Sequence, residues 1–376
     1  MRKEDFFVDP DIRKAETLPP RVFTDERFAE LERDTVFQKS WLLVPASHEM
    51  PFSELLQTGG SRYPFTLLDR PLMLIRDNGG TLRCLSNVCT HAGNVLVEKP
   101  GCGAQIVCGV HGRRFSCDGK FKGHRGFNVC ENFPREEDHL REYQLIQWDE
   151  LKFVAREDAA VDLAHAVTRI IESAHRFFFL PTRRVSQSQE VRDVCGNWKL
   201  HVLNFLDEFH IPSVHRNLAK QVELSSYRNE LYSQAVLQWV YAKDPAHGFD
   251  PERLSERFRD PKNPEKRVFA LWWFVFPNMA FDLYPWGLSV YSWMPIPGKP
   301  EQTRIYWNHF VTDEEKYALR EEWWRSEEVD REDTKIIEGI SRGVRSPDAV
   351  RGRFAPEREM AGHWFHRKIY EMTFGK

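Results

Sequence analysis

The sequence predicts an α+β protein of two domains, an antiparallel β domain followed by a larger domain that combines a sheet with helices. Two patterns carry that expectation. From about Trp41 to Ala155, short β-type runs alternate with glycine-containing turns, whereas beyond this stretch helical periodicity and a dense apolar strand block take over. A length of 376 residues accommodates about two domains, and a hydrophobic content of 41% supplies their cores.

Each element follows from its local chemistry. "LMLIRDNGGTLRCLSNVC" reads as strand, turn at Asp77-Asn78-Gly79-Gly80, strand. "RRFSCDGKF" repeats the device, with Asp118-Gly119 supplying a positive-φ turn. After "FVAREDAAVDL" come two helical patterns, "AHAVTRIIESAHRFF" and "NWKLHVLNFLDEFH". A strand-rich block around "FALWWFVFPNMAFDLYPWGLSVYSWMPI" follows, and then one long charged helix from about Asp313 to Gly343. Residues 250–267, "DPERLSERFRDPKNPEKR", are polar and proline-punctuated and read as a surface loop or lid. The chain shows no internal repeat.

Several classes are disfavoured at this level. The first twenty residues are charged from the start and lack an apolar core segment, which argues against a secretory signal and for a cytoplasmic protein. The longest apolar run, Val268 to Phe276, is far shorter than the roughly 20 residues that cross a bilayer, so no membrane segment is expected. Net charge is −3 with both signs intermixed, which gives nucleic acid no basic stripe to bind. Seven cysteines in a chain read as cytosolic suggest metal ligands or buried thiols rather than disulfides.

Cys89, His91, Cys108 and His111 form the first constellation, a Cys-x-His pair and a Cys-x2-His pair on separate turns. Two such hairpins can close around metal from two sides. Structural zinc is one reading of two cysteines and two histidines. Common zinc modules, however, separate their cysteine pair from their histidine pair, whereas here each turn contributes one of each. A Rieske [2Fe–2S] cluster needs mixed pairs, because two thiolates hold one iron and two imidazoles the other. Cys84, Cys102, Cys117, Cys130 and Cys195 match no ligand position and read as small buried or surface thiols.

A second constellation lies in "NWKLHVLNFLDEFHIPSVH". Trp198, Val202, Phe205 and Phe209 mark one apolar helix face, and Asp207 stands three residues before His210. His210 and His215 are five residues apart, about 140° around a regular helix, so Pro212 is expected to distort that helix and let both imidazoles converge. Two histidines and a carboxylate make a facial triad for Fe(II). The candidate carboxylate is Asp333, on the stripe of Val329, Ile336, Ile337 and Ile340; its neighbours Glu327, Glu328, Asp330 and Glu332 read as solvated charges.

The cluster segment resembles the Rieske ferredoxin fold, and the whole constellation resembles the α subunit of Rieske non-heme iron ring-hydroxylating oxygenases. "LPPRVFTDERFAELERDTVFQKSWLLV" is similar to the family's N-terminal arm, "NWKLHVLNFLDEFH" to its histidine-bearing helix, and "EDTKIIEGISRGVRS" to the segment of its carboxylate ligand. The resemblance implies an arm over 1–40 packing on the catalytic domain, a Rieske domain over 41–155, and a helix-grip-like mononuclear iron domain over 156–376. It implies a [2Fe–2S] cluster on Cys89, Cys108, His91 and His111, and Fe(II) on His210, His215 and Asp333. Asn204 would lie near the iron. Asp207 would bridge His210 to His111 across a subunit boundary, in a homotrimer that sets each cluster beside a neighbour's iron. Asn94 and Val110 stand where respiratory Rieske proteins place a disulfide, and Ala92 replaces the arginine usual in oxygenases.

The implied reaction uses O2 and electrons from a separate NAD(P)H-dependent reductase, with or without a ferredoxin, since the chain carries no dinucleotide-binding glycine fingerprint. Nine aromatic side chains between Trp272 and Trp293 crowd the strand block. They would cage a methylated amine or betaine, as in the choline, betaine and carnitine branch that the arm and the chain length most resemble, for hydroxylation or oxidative demethylation. The alternatives are an aromatic ring or aromatic acid as substrate, a Rieske electron carrier without oxygenase activity, and a zinc protein.

Overall fold

A computed structural model describes residues 2–46, 50–159, 162–174, 190–320 and 325–375. The chain divides into two compact units, Trp41–Ala159 and a second formed by Met1–Ser40 together with Ala160–Lys376.

The opening segment is held by charge and rings. Asp25 caps helix α1 (Glu26–Thr35), its side chain accepting from the Arg27 amide. Phe6 stacks on Phe28 at 5.3 Å and meets Phe374 at 5.1 Å. Glu32, on α1, is buried and accepts from the equally buried Lys199 Nζ at 2.7 Å. The Leu18 amide donates to His366 Nδ1 at 2.9 Å.

The β unit contains β1 (Leu42–Leu43), helix α2 (Phe52–Leu55), β2 (Ser61–Leu67), β3 (Arg70–Arg76), β4 (Leu82–Ser86), β5 (Gly101–Cys102), β6 (Gln105–Val107), β7 (Arg114–Ser116), β8 (Phe121–Gly123), β9 (Glu142–Trp148) and β10 (Leu151–Ala155). They form a sheet ordered β1-β10-β9-β4-β3-β2-β5 and a small sheet β6-β7-β8, every pair antiparallel. The expected turn at Asp77 closes β3 on β4, with Asp77 Oδ1 accepting from the amides of Gly79 and Thr81 at 2.9 and 2.8 Å.

The other unit continues with α3 (Leu163–Ser173), β11 (Glu190–Cys195), α4 (Trp198–Phe205), α5 (Ile211–Val214), α6 (Arg216–Gln221), β12 (Arg228–Leu231), β13 (Ala235–Tyr241), β14 (Val268–Val275), β15 (Met279–Tyr284), β16 (Gly287–Ile296), β17 (Lys299–Val311), α7 (Glu314–Leu319), α8 (Ser326–Val344) and α9 (Met360–Phe374). The seven strands form an antiparallel sheet ordered β11-β17-β16-β15-β14-β13-β12. Register places Gln238, Trp272, Asp282, Ser289 and His309 in one row across its five inner strands. β14 and β15 are buried along their whole length, as strands covered on both faces must be.

Two expectations need correction. The helix expected from Asp313 to Gly343 is two helices, because Arg325 is extended (φ −130°, ψ 131°) and begins α8 anew; residues 321–324 lie outside the described residues, as do the last residues of the "AHAVTRIIESAHRFF" pattern. The helix through "NWKLHVLNFLDEFH" stops at Phe205, and Phe209 is 61% exposed rather than on a buried face. The polar stretch 250–267 is largely exposed, as expected of a surface loop, and is pinned by the buried Leu254 and Phe258.

Candidate metal centres

The two cysteine–histidine turns are built to one local plan. In each, the cysteine amide donates to the carbonyl five residues on (Cys89 to Asn94, Cys108 to Arg113, both 2.8 Å). In each, the cysteine carbonyl accepts from the glycine four residues on (Gly93 and Gly112, both 3.0 Å). Those glycines sit at φ +76° and +70°, where an L side chain is strained. The plan aims successive peptide N–H groups at sulfur: those of His91 and Ala92 at Cys89, and those of Val110 and His111 at Cys108. Burial opposes a Cys108 thiolate, and these amides, with Cys89 and Asn94, draw its pKa below the ordinary thiol range.

Both cysteines are buried, while His91 and His111 are exposed with ring centroids 4.8 Å apart. A cluster held here would keep its sulfur side in the protein and its imidazole side toward the surface. Asn94 Nδ2 reaches to 3.9 Å from Cys108 Sγ, spanning from the first turn to the second. The remaining five cysteines are free thiols, of which Cys84 and Cys117 are buried and Cys102 and Cys130 exposed.

At the second centre, His210 and His215 bracket the single turn α5, as its N-terminal and C-terminal cap residues. The chain is non-helical at 207–208, returns to αR dihedrals at His210 and leaves them again at His215 (φ −93°, ψ 66°), and Pro212 lies in the first positions of the turn, where a missing N–H costs nothing. Pro212 therefore starts a new helix rather than bending an existing one. The two Nε2 atoms come to 2.9 Å of each other. Asp333, from the middle of α8, brings Oδ1 to 2.8 Å from His215 Nε2 and 3.4 Å from His210 Nε2.

Carboxylates occupy the far side of each ring: Asp207 Oδ2 at 3.2 Å from His210 Nδ1, and Glu332 Oε2 at 2.6 Å from His215 Nδ1. With Nδ1–H donated to an acid, each Nε2 offers a lone pair inward. Two Nε2 lone pairs 2.9 Å apart and the Asp333 Oδ1 facing them repel one another unless a cation, a metal ion or in its place a proton, lies between them. Burial works against charge on His210, yet Asp207 and Asp333 outweigh it and raise its pKa to about 9; burial likewise opposes Asp333, which both histidines draw down to about 2. Two imidazoles and one carboxylate converging on a point suit a facial-triad metal.

A cavity opens over this centre and is lined by Asn204, Asp207, His210, His215 and Asp333. Trp272, Tyr284, Tyr291 and Trp293 line it too, while Trp273 and Trp286 belong to the core behind. Three features were missed in sequence. Glu332 is no solvated charge but holds His215, and Glu327 and Asp330 are engaged by Arg320 and Arg192. The buried edge of α8 runs through Ser326, Ile337 and Ser341, one position round from the expected stripe, leaving Ile340 41% exposed. Asp282 lines the cavity, and its signal was present: it is the sole charged residue between Arg267 and Lys299.

Residues 40–134 match the Rieske [2Fe–2S] domain, and residues 182–374, just over half of the chain, match the ring hydroxylating alpha subunit catalytic domain. The carnitine monooxygenase oxygenase subunit of Acinetobacter pittii is 24% identical over 98% of this chain and 95% of its own. The chloroplastic choline monooxygenase of Arabidopsis thaliana is 26% identical, over 95% of this chain and 83% of its own. Among solved structures, a quaternary ammonium Rieske monooxygenase aligns with a TM-score of 0.77 at 19% identity, covering 99% of this chain and 98% of that one. Naphthalene 1,2-dioxygenase from Rhodococcus sp. aligns with a TM-score of 0.71 at 16% identity, covering 96% and 95%. Oxygenase α subunits of this kind work with O2 and a separate reductase and bind small substrates. The chain thus belongs to the ring hydroxylating alpha subunit family, as an oxygenase component whose cofactors are a Rieske [2Fe–2S] cluster and a mononuclear iron.

Proposed function

We propose that this protein hydroxylates or oxidatively demethylates a small methylated amine or betaine, with His210, His215 and Asp333 holding the mononuclear iron and Cys89, Cys108, His91 and His111 the cluster. The observation that carries the reading is the pair of inward Nε2 atoms bracketing one helical turn and facing the half-buried Asp333 carboxylate beneath an aromatic-lined cavity. When bound, the iron supplies O2 activation, fed one electron at a time through the cluster. The balance is one substrate, one O2, two electrons and two protons in, one hydroxylated product and one water out.

The chain's own groups have separable tasks. Asp207 and Glu332 fix the ring orientation of the two histidines from behind. Asp207 is about one-third exposed and can also take up a neighbouring subunit's exposed His111, which would make a homotrimer the working assembly. Asn204 borders the cavity from α4, one turn ahead of Asp207, as a contact for substrate or iron-bound ligand. A cytoplasmic location and a ferredoxin between reductase and cluster belong to the same proposal; among the described residues no helix is long and apolar enough to cross a membrane. Support for the substrate class comes from the names of the relatives and from the four cavity aromatics, whose faces suit an ammonium group.

The test is metal analysis joined to a single turnover. The intact protein should hold about three irons and two sulfides per chain, and Asp333→Ala about two of each with the visible cluster spectrum unchanged. Dithionite-reduced enzyme, exposed to O2 with a panel of trimethylammonium compounds and aromatic acids, should convert a member of the first group. Conversion confined to the aromatic acids would overturn the substrate reading, and an Asp333→Ala protein with a full iron complement would overturn the ligand assignment.

A further inference from the structure

Asp282 is buried at 4% exposure, yet its Oδ1 finds no hydrogen-bond partner. The polar groups beside it in the sheet are committed elsewhere. Trp272, opposite it on β14, donates its indole N–H to Tyr284 Oη at 3.0 Å. Ser289, opposite it on β16, pairs with His309 Nδ1 at 2.6 Å. Gln238, next along the row, gives its amide to the Phe205 carbonyl at 2.9 Å and accepts from Tyr227 at 3.1 Å.

Burial is the whole cause of an upward shift of the Asp282 carboxyl pKa; no cationic side chain opposes it. An isolated acid in a sheet core costs several kcal/mol unless something compensates it. Asp282 does not face sealed protein, however. It lines the cavity that contains the iron-ligand triad, in company with Trp272, Tyr284, Tyr291 and Trp293.

We propose that Asp282 is the counter-ion for the substrate's cationic nitrogen, on the sheet wall of the cavity that the iron ligands at α5 and α8 also line. The inference rests on the amine or betaine reading and deepens it. An aromatic wall alone accepts a flat ring or a methylated ammonium alike, since each presents apolar surface to π faces. A buried acid breaks that tie: a docking cation favours its ionised form, an aromatic acid's anion disfavours it, and a neutral ring leaves it without a partner. A substrate held there by nitrogen would direct its neighbouring C–H bonds toward the triad.

The experiment compares choline with 3,3-dimethylbutan-1-ol, its uncharged carbon isostere, and with benzoate, by calorimetric titration of the anaerobic holoenzyme. Wild-type protein should bind choline about tenfold or more tighter than the isostere. Asp282→Asn, which keeps the shape and removes the charge, should lose that preference, while Asp282→Glu should keep most of it; an unchanged visible spectrum and circular dichroism show each variant folded. If wild type prefers choline and Asp282→Asn does so equally, the counter-ion role is overturned and the amine reading stands. If wild type binds benzoate or the isostere in preference to choline, the amine reading itself falls and takes this inference with it.

Discussion

Glu332 Oε2 stands 2.6 Å from His215 Nδ1, on the side of the ring away from Asp333, which meets Nε2 at 2.8 Å. Consecutive residues of α8 thus grip one imidazole from both sides. Glu332→Ala should leave the triad in place but free the ring to turn, weakening metal retention about 10–100-fold. Dialysis of both proteins against a graded series of chelator, followed by iron analysis, measures this; equal retention would show that Glu332 is only a surface charge.

The buried Glu32–Lys199 pair joins α1 to α4 at 2.7 Å. Glu32→Ala strands a buried ammonium and should cost about 3–5 kcal/mol in urea unfolding, whereas replacing both residues with methionine should recover most of the loss. A single variant as stable as wild type would mean that Lys199 reaches water by another route.

Gly196 has φ +106°, and a Cβ there would lie 2.4 Å from Ile337 Cγ2 and 3.2 Å from Ser341 Oγ, both on α8. Gly196→Ala should therefore push away the helix that carries Asp333, costing about 2–4 kcal/mol and lowering mononuclear iron occupancy. Gly93→Ala, whose Cβ would meet nothing within 4 Å, should cost about 1 kcal/mol and keep the cluster. Iron and sulfide counts on the two variants separate these outcomes.

His366 is fully enclosed, and burial first, then His363, Lys199 and Arg351, hold its pKa down to about 3 from an ordinary value of 6.5. The unfolded chain takes up this proton below pH 6.5 while the folded chain does not, so stability is highest above that pH and falls as acid is added. The residue alone should account for a loss of about 1.5–2 kcal/mol between pH 6.5 and 5. His366→Gln should flatten that part of the curve in thermal or urea melts; an unaltered slope would assign the proton uptake to other groups.

What the sequence disclosed depends on the range of the interaction. The cluster turns were legible because everything that shapes them lies within five residues, from cysteine amide to asparagine or arginine carbonyl. That His210, His215 and Asp333 converge was legible from apolar context, but their backbone was not: the helix stops at Phe205, and Pro212 opens a fresh turn, a choice made by capping rather than by periodicity. The grip of Glu332 on His215 spans 117 residues, so nothing in the helical pattern could announce it. Asp282 was visible as a lone charge in an apolar run but was passed over, because a strand pattern reports which face a residue shares and not whether that face borders a cavity.

The bond from the Leu18 amide to His366 joins residues 348 apart, while the β unit Trp41–Ala159 has its own compact core. During synthesis at roughly 5–20 residues per second, the leading arm waits roughly 20–70 s for the last helix to emerge, and the cysteine turns can close long before that. Cluster insertion can thus begin on a nascent chain whose other iron site does not yet exist. The arm, made before the β unit, finds its place after it.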